Sequence, residues 1–154
     1  MTQKRSAGLL LYRRGETGTE VLLGHMGGPY FAKRDTGAWT VPKGEYEPDE
    51  PAWDAARREF REELGLPPPD GEAIGLGEVR QSNGKIVTVW AVEADLDPAA
   101  VDPGTFTMEW PPRSGRTQEF PELDRVAWYG LARARELIVP AQTAFLDRLT
   151  EHSP

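Results

Sequence analysis

Four glutamates and an arginine between positions 50 and 63 carry the clearest chemistry in the chain: Glu50, then Arg58-Glu59-Phe60-Arg61-Glu62-Glu63. On a helix turning about 100° per residue, Trp53, Ala56, Phe60 and Leu64 share one apolar stripe. Glu59 and Glu63 fall one turn apart at its edge, beside Ala52 and Ala56, where they are partly sheltered from water. Two sheltered carboxylates so placed repel each other unless a proton or a cation sits between them. Glu62 lies further round, one turn from Arg58, and that spacing predicts an ion pair. Arg57 and Arg58 are not expected to reach the Glu59/Glu63 edge. A divalent cation would relieve the repulsion; a solvated acidic helix face is the plain alternative, and spacing alone favours it.

Several elements must position these carboxylates. The pattern predicts a helix over 51–64, introduced by Asp49 and Glu50 and stopped by Gly65 with Pro67-Pro68-Pro69 beyond it. It predicts further helices over 131–138 and 141–149, the last with Ala141, Phe145 and Leu149 recurring every four residues. Short strands are expected at 7–12 and 20–25 around the turn Gly15-Glu16-Thr17-Gly18, at 38–41, and at 125–129. Two more, 72–81 and 85–94, flank Ser82-Asn83-Gly84, where both residues of the Asn-Gly step tolerate positive φ. Strands mixed with helices in this order point to an α+β fold, a mixed sheet with helices on both faces. One domain over 1–150 is expected, with 151–154 a disordered tail. Residues 97–118 read as a long loop punctuated by proline and glycine.

Composition narrows the chemistry. The 154 residues suit one domain and include no cysteine, which leaves neither disulfides nor thiolate metal sites. The two histidines, His25 and His152, lie far apart in sequence. Carboxylate ligands favour a hard cation, Mg²⁺ or Mn²⁺. A net charge of −7 argues against an extended nucleic-acid surface. It is compatible with a small phosphorylated substrate, because a bound cation reverses the local sign. No apolar run approaches membrane-spanning length, and 7–12 is too short for a signal-peptide core. A cytoplasmic protein without membrane contact is the expectation.

The spacing Gly44, Glu50, Arg58-Glu59-Phe60, Glu62-Glu63, Gly65-Leu66 resembles the Nudix box in every defining position, over residues 44–66. The resemblance implies an α/β/α sandwich carrying a loop–helix–loop motif. It also implies metal-dependent hydrolysis of a phosphoanhydride bond in a nucleoside diphosphate linked to another moiety. It makes Glu59, Glu62 and Glu63 metal ligands, Glu59 and Glu63 directly. Arg58 would orient the glutamates, Glu50 would brace the loop, and Gly44 would permit tight packing with its carbonyl near the metal. Similar enzymes sometimes place a general base ahead of a strand such as 125–129, which nominates Glu119 first and Glu122 second. The lead-in Trp39-Thr40-Val41-Pro42-Lys43-Gly44 is similar to that of diadenosine polyphosphate hydrolases and of some nucleoside triphosphate-cleaving relatives. The other reading is a non-catalytic Nudix-like module that binds a nucleotide or a protein; such modules are expected to lose box glutamates, and all are retained here.

Substrate contacts are expected from Lys43 and from Arg80, Gln81 and Lys85 around the Asn-Gly turn. Trp110, Arg113 and Arg116 suit a lid, since guanidinium forks match phosphate oxygens and indole faces match bases. Tyr30 and Phe31 read as packing residues before base-stacking ones, and His25 as structural. Gly75-Leu76-Gly77 lacks the rest of a dinucleotide fingerprint.

Overall fold

The computed structural model describes residues 4–152. Its centre is a seven-stranded mixed sheet. The main path runs β3 (Trp39–Thr40), β2 (Gly18–Met26), β1 (Arg5–Gly15), β6 (Ile86–Glu93), β5 (Ala73–Arg80), with β4 (Lys43–Tyr46) on β1 and β9 (Leu123–Gly130) on β2. Only β1 and β6 run parallel. β2 occupies one edge of β1 at Tyr12–Gly15, and β4 takes the same edge at Arg5–Gly8. β3 pairs with β2 at Gly24 and His25. Residues 39–46 therefore fill the fork where β1 and β2 diverge, and this brings Lys43 and Gly44 to the middle of the molecule.

Alternation along β1 divides the core. Ala7, Leu9 and Leu11 face the helix α1 (Ala52–Leu64), with Leu22, Val92, Leu123 and Val126. Leu10 and Tyr12 face α2 (Leu131–Leu137) and α3 (Thr143–His152), through Ala134, Leu137, Phe145, Leu146 and Leu149. The result is helices on both faces of a mixed sheet, the predicted class. α1 buries Ala55, Ala56, Phe60 and Leu64; full burial of Phe60 contributes roughly 1.5–3 kcal/mol. The helix stops at Gly65 in the left-handed region (φ 68°), where glycine has no Cβ penalty. Its terminal carbonyls are capped from outside, Leu64 O by Asp102 N (2.9 Å) and Glu62 O by Gly104 N (3.1 Å).

Three expectations need correction. The stretch 97–118 is not a structureless loop. It holds a 3₁₀ turn at Pro98–Ala100 and then β7 (Thr105–Glu109), which pairs with β8 (Thr117–Pro121) in a separate hairpin. The alternation Thr105, Phe106, Thr107, Met108 is a strand pattern that the dense Pro and Gly around it obscured. Lys43–Tyr46 is also a strand, although it lies inside the box lead-in. In the Asn-Gly turn only Gly84 adopts positive φ (86°). Gly84 N donates to Gln81 O and Gln81 N to Lys85 O, a turn followed by a glycine bulge. α3 continues to His152, and residues 153–154 of the expected tail lie outside the described residues. The Gly75-Leu76-Gly77 stretch is a register shift in β5, with Gly77 at φ 74°.

Candidate active site

The site forms where α1 lies beneath β4. Glu59 and Glu63 are 8% and 7% exposed, deeper than the edge of an amphipathic helix requires. Gly44 explains part of this: a Cβ there would overlap the Glu59 carboxylate, so only glycine lets β4 close down on that group. Burial raises the pKa of Glu59, opposed by Arg58 and reinforced by Glu62 and Glu122. Burial likewise pushes Glu63 up to about 8, with the charges of Glu122 and Glu59 adding to the effect and Lys43 opposing it. The pair is thus held in a state that disfavours two bare negative charges.

Arg58 joins the loop to the helix. Its Nε and Nη2 donate to the two oxygens of Glu50 at 2.9 and 2.8 Å, a bidentate fork. Its Nη1 donates to Glu59 Oε1 at 2.8 Å and, more loosely, to Glu62 at 3.2–3.3 Å. The expectation that Arg58 falls short of the glutamate edge is therefore corrected. The side chain bends back along its own turn, because Glu50 holds the other end of the guanidinium. Arg57 points away, to Pro69 O and Asp70. The Arg58 fork holds Glu50 below the usual carboxylate range. Glu62 remains largely in solvent.

Lys43 is half-buried beside the acids. Desolvation and the charge of Lys85 lower its pKa, while Glu63, Glu45 and Glu59 oppose that shift. Lys85 pairs with Glu45 at 3.4 Å on the same side. Glu122 links β8 to β9. Its side chain is exposed, yet partial desolvation raises its pKa, with Lys43 opposing and Glu62 adding. Its backbone ties three segments together: Gly27 N donates to Glu122 O (3.0 Å) and Glu122 N to Gly104 O (2.7 Å).

The structure thus brings Lys43, Gly44, Glu50, Arg58, Glu59, Glu62, Glu63 and Lys85 together, with Glu122 beside them. Glu119 lies instead in β8, exposed, opposite Thr107. Pro121, closing β8, was the available sign that the chain turns back to the sheet at Glu122 rather than earlier. Arg80 is exposed at the end of β5, opposite Ile86. Arg113 and Arg116 sit at the exposed tip of the β7–β8 hairpin, where Glu109 accepts from Arg113 N and Gly115 N, both at 3.1 Å. Gln81 accepts from Gln142 Nε2 (3.0 Å) and so steadies the Asn-Gly turn. Gln142, which sequence reasoning passed over, is fully buried and also holds Thr40 and Val41 N ahead of Lys43. His25 is structural: Nδ1 meets the Asp124 carboxylate at 2.9–3.0 Å and Nε2 faces Arg34 O at 2.6 Å.

The donor set fits a hard divalent ion. Glu59 and Glu63 offer carboxylate oxygens whose charge such an ion would offset, and the chain has no cysteine thiolate to compete. Among the described residues no three carboxylate or imidazole groups converge in a closed cage. An ion held here would complete its shell with water and substrate oxygens, the habit of Mg²⁺.

The NUDIX domain family matches residues 2–149. No curated protein sequence matches the chain. Solved structures resemble it along its length. The C. elegans Ap4A hydrolase in a binary complex gives a TM-score of 0.66 at 20% identity, covering 96% of each chain. The NUDIX domain of Shewanella oneidensis NrtR complexed with ADP ribose gives 0.65 at 15% identity, covering 100% of this chain and 90% of that one. RenU, a Nudix hydrolase from M. smegmatis, gives 0.60 at 25% identity, covering 98% and 86%. The chain belongs to the Nudix family. It is a hydrolase of that family, acting on pyrophosphate bonds. Divalent cations are the general cofactors of Nudix domains. Among the described residues, no helix is long and apolar enough to cross a membrane.

Proposed function

We propose that this hydrolase is a Mg²⁺- or Mn²⁺-dependent pyrophosphohydrolase of nucleotides, with diadenosine polyphosphates as the first substrate class and nucleoside triphosphates as the second. The observation that carries the chemistry is the buried pair Glu59 and Glu63 under Gly44, whose desolvation beside further carboxylates calls for a cation. Glu59 and Glu63 hold that ion directly, with the Gly44 backbone against them and Glu62 at the rim. When bound, the ion neutralises phosphate charge and makes a water molecule more acidic. Arg58, anchored on Glu50, fixes the Glu59 carboxylate. Water attacks phosphorus, the bridging P–O bond breaks, and a carboxylate accepts the proton of the attacking water. Glu122 is better situated for that role than Glu119, since its charge acts on Glu63. Lys43, with Lys85 behind it, binds a phosphate oxygen.

The preference for dinucleotides rests on the lead-in 39–44 together with the C. elegans neighbour. Trp39 itself is buried, bonded to Asp35 and packed on His25 and Tyr129. The lead-in therefore acts by framing the site, and its last two residues, Lys43 and Gly44, meet the acids. A hydrolysis screen over dinucleoside polyphosphates, nucleoside triphosphates and nucleotide sugars, with Mg²⁺ and Mn²⁺, tests the proposal. Diadenosine polyphosphates should show the highest kcat/KM, and a clear preference for a nucleotide sugar would reject the substrate assignment.

A further inference from the structure

Tyr30 is the one exposed large hydrophobic side chain among the described residues, at 58%. Its ring meets that of Trp110 edge to face, with centroids 5.3 Å apart and planes at 81°. The two residues come from separate segments, Tyr30 from the loop after β2 and Trp110 from the tip of the β7–β8 hairpin. The hairpin meets that loop at two points. Phe106 lies under Gly28 and pairs with Phe120 across the hairpin; four residues on, Trp110 lies against Tyr30. Perpendicular rings leave open π-faces, and an aromatic face open to water suits a planar base.

Both segments are rooted at the site. Gly27 is bonded to Glu122, Glu122 to Gly104, and Gly104 to the carbonyl of Glu62. Trp110 stands six residues beyond Gly104, up to about 20 Å from α1 at roughly 3.3 Å per strand residue. A span up to that length accommodates a polyphosphate arm with its nucleoside. Arg113 and Arg116 are exposed at the same tip, in a chain whose net charge is −7. The tip is an ordered turn: Trp110 N donates to Arg116 O, Ser114 N to Pro111 O, and Glu109 caps Arg113 N and Gly115 N.

We infer that Tyr30 and Trp110 form a platform for the distal nucleobase of a dinucleoside polyphosphate, the base on the far side of the phosphate chain from the metal-binding glutamates, with Arg113 and Arg116 on the intervening phosphates. This rests on the substrate class proposed above. The platform makes the enzyme discriminate by what terminates the phosphate chain: a second nucleoside gains the stack, and a nucleoside triphosphate bound at Glu59 and Glu63 does not.

The test compares Tyr30→Ala, Trp110→Ala and Tyr30→Phe with the parent on diadenosine tetraphosphate and ATP. The alanine variants should raise KM for diadenosine tetraphosphate about tenfold or more, in line with the loss of one base–aromatic stack. KM for ATP should move by less than about twofold, kcat should stay near the parental value, and Tyr30→Phe should recover most of the lost affinity. Equal KM changes on both substrates, or none, would overturn the platform. Fluorescence titration of the metal-free protein with diadenosine tetraphosphate reads the stack without turnover. Quenching present in the parent and lost in Trp110→Phe supports the platform, and identical quenching in the two refutes it. A parent that binds the dinucleotide through Trp110 but hydrolyses neither compound would sink the proposed function and leave the binding platform standing.

Discussion

Replacing Glu63 with glutamine should stabilise the metal-free protein at neutral pH, although it removes a residue of the proposed metal site. The ordinary glutamate pKa is 4.5, and burial next to Glu122 and Glu59 pushes Glu63 in the folded protein up to about 8. The native state therefore holds a proton that the unfolded chain has released. Stability falls as pH rises between these two values, by about 1.4 kcal/mol per pH unit and up to about 5 kcal/mol in total. Below pH 4.5 the two states bind the same proton and the penalty vanishes. Glutamine has nearly the same volume and no charge, so the variant escapes the penalty. Against a usual domain stability of about 5–15 kcal/mol, the effect is large. Denaturant unfolding in EDTA, repeated from pH 4.5 to 8.5, measures it as the stability difference between variant and parent. The difference should start near zero and widen steadily with pH. Adding Mn²⁺ at pH 8 should narrow the gap by roughly half from the parent's side, since a ligand at a hundred times its Kd stabilises by about 2.7 kcal/mol. A difference that stays flat across the range, or that favours the parent, would refute the idea that Glu63 is buried at electrostatic cost.

Arg58→Lys keeps the charge but loses the fork to Glu50. It should weaken Mn²⁺ affinity and lower kcat by about tenfold or more, with KM nearly unchanged; titration calorimetry and steady-state kinetics separate this from a phosphate contact, which would appear as a rise in KM. Arg113→Ala/Arg116→Ala should raise KM progressively for substrates with three, four and five phosphates and leave the metal requirement intact. For the parent, added salt should produce the same trend, because charge attraction is screened over roughly 10 Å at 0.1 M; equal KM values for all three substrates would remove the hairpin tip from substrate binding.

The shelter of Glu59 and Glu63 could be read from the sequence because one helical period sets both the apolar stripe and its edge, and α1 packs on the sheet through Ala55, Ala56, Phe60 and Leu64. The depth of that shelter depends on Gly44, far back along the chain in β4, closing over Glu59. No local pattern records that approach. The reach of Arg58 to Glu59 was equally hidden, since it depends on where the loop presents Glu50. The hairpin 105–121 was missed for a different reason: its strands pair with each other apart from the main sheet, and the short alternation Thr105, Phe106, Thr107, Met108 is hemmed in by proline and glycine, unlike the longer apolar runs of β1 and β6. Glu122 gained its position from that hairpin. With 97–118 taken as a loop, Glu119 ranked ahead of Glu122; as strand and turn, they face different surroundings.

The central claim is that Glu59 and Glu63 hold the ion that drives phosphoanhydride hydrolysis, and turnover at saturating substrate tests it most directly. Glu59→Gln and Glu63→Gln should be compared with the parent on diadenosine tetraphosphate in Mg²⁺ and in Mn²⁺, with circular dichroism to verify the fold. Each substitution should lower kcat by about two orders of magnitude or more while the fold persists, as loss of a metal or base contribution does. Rates within a few-fold of the parent in a folded Glu63→Gln variant would place the reaction elsewhere in the molecule.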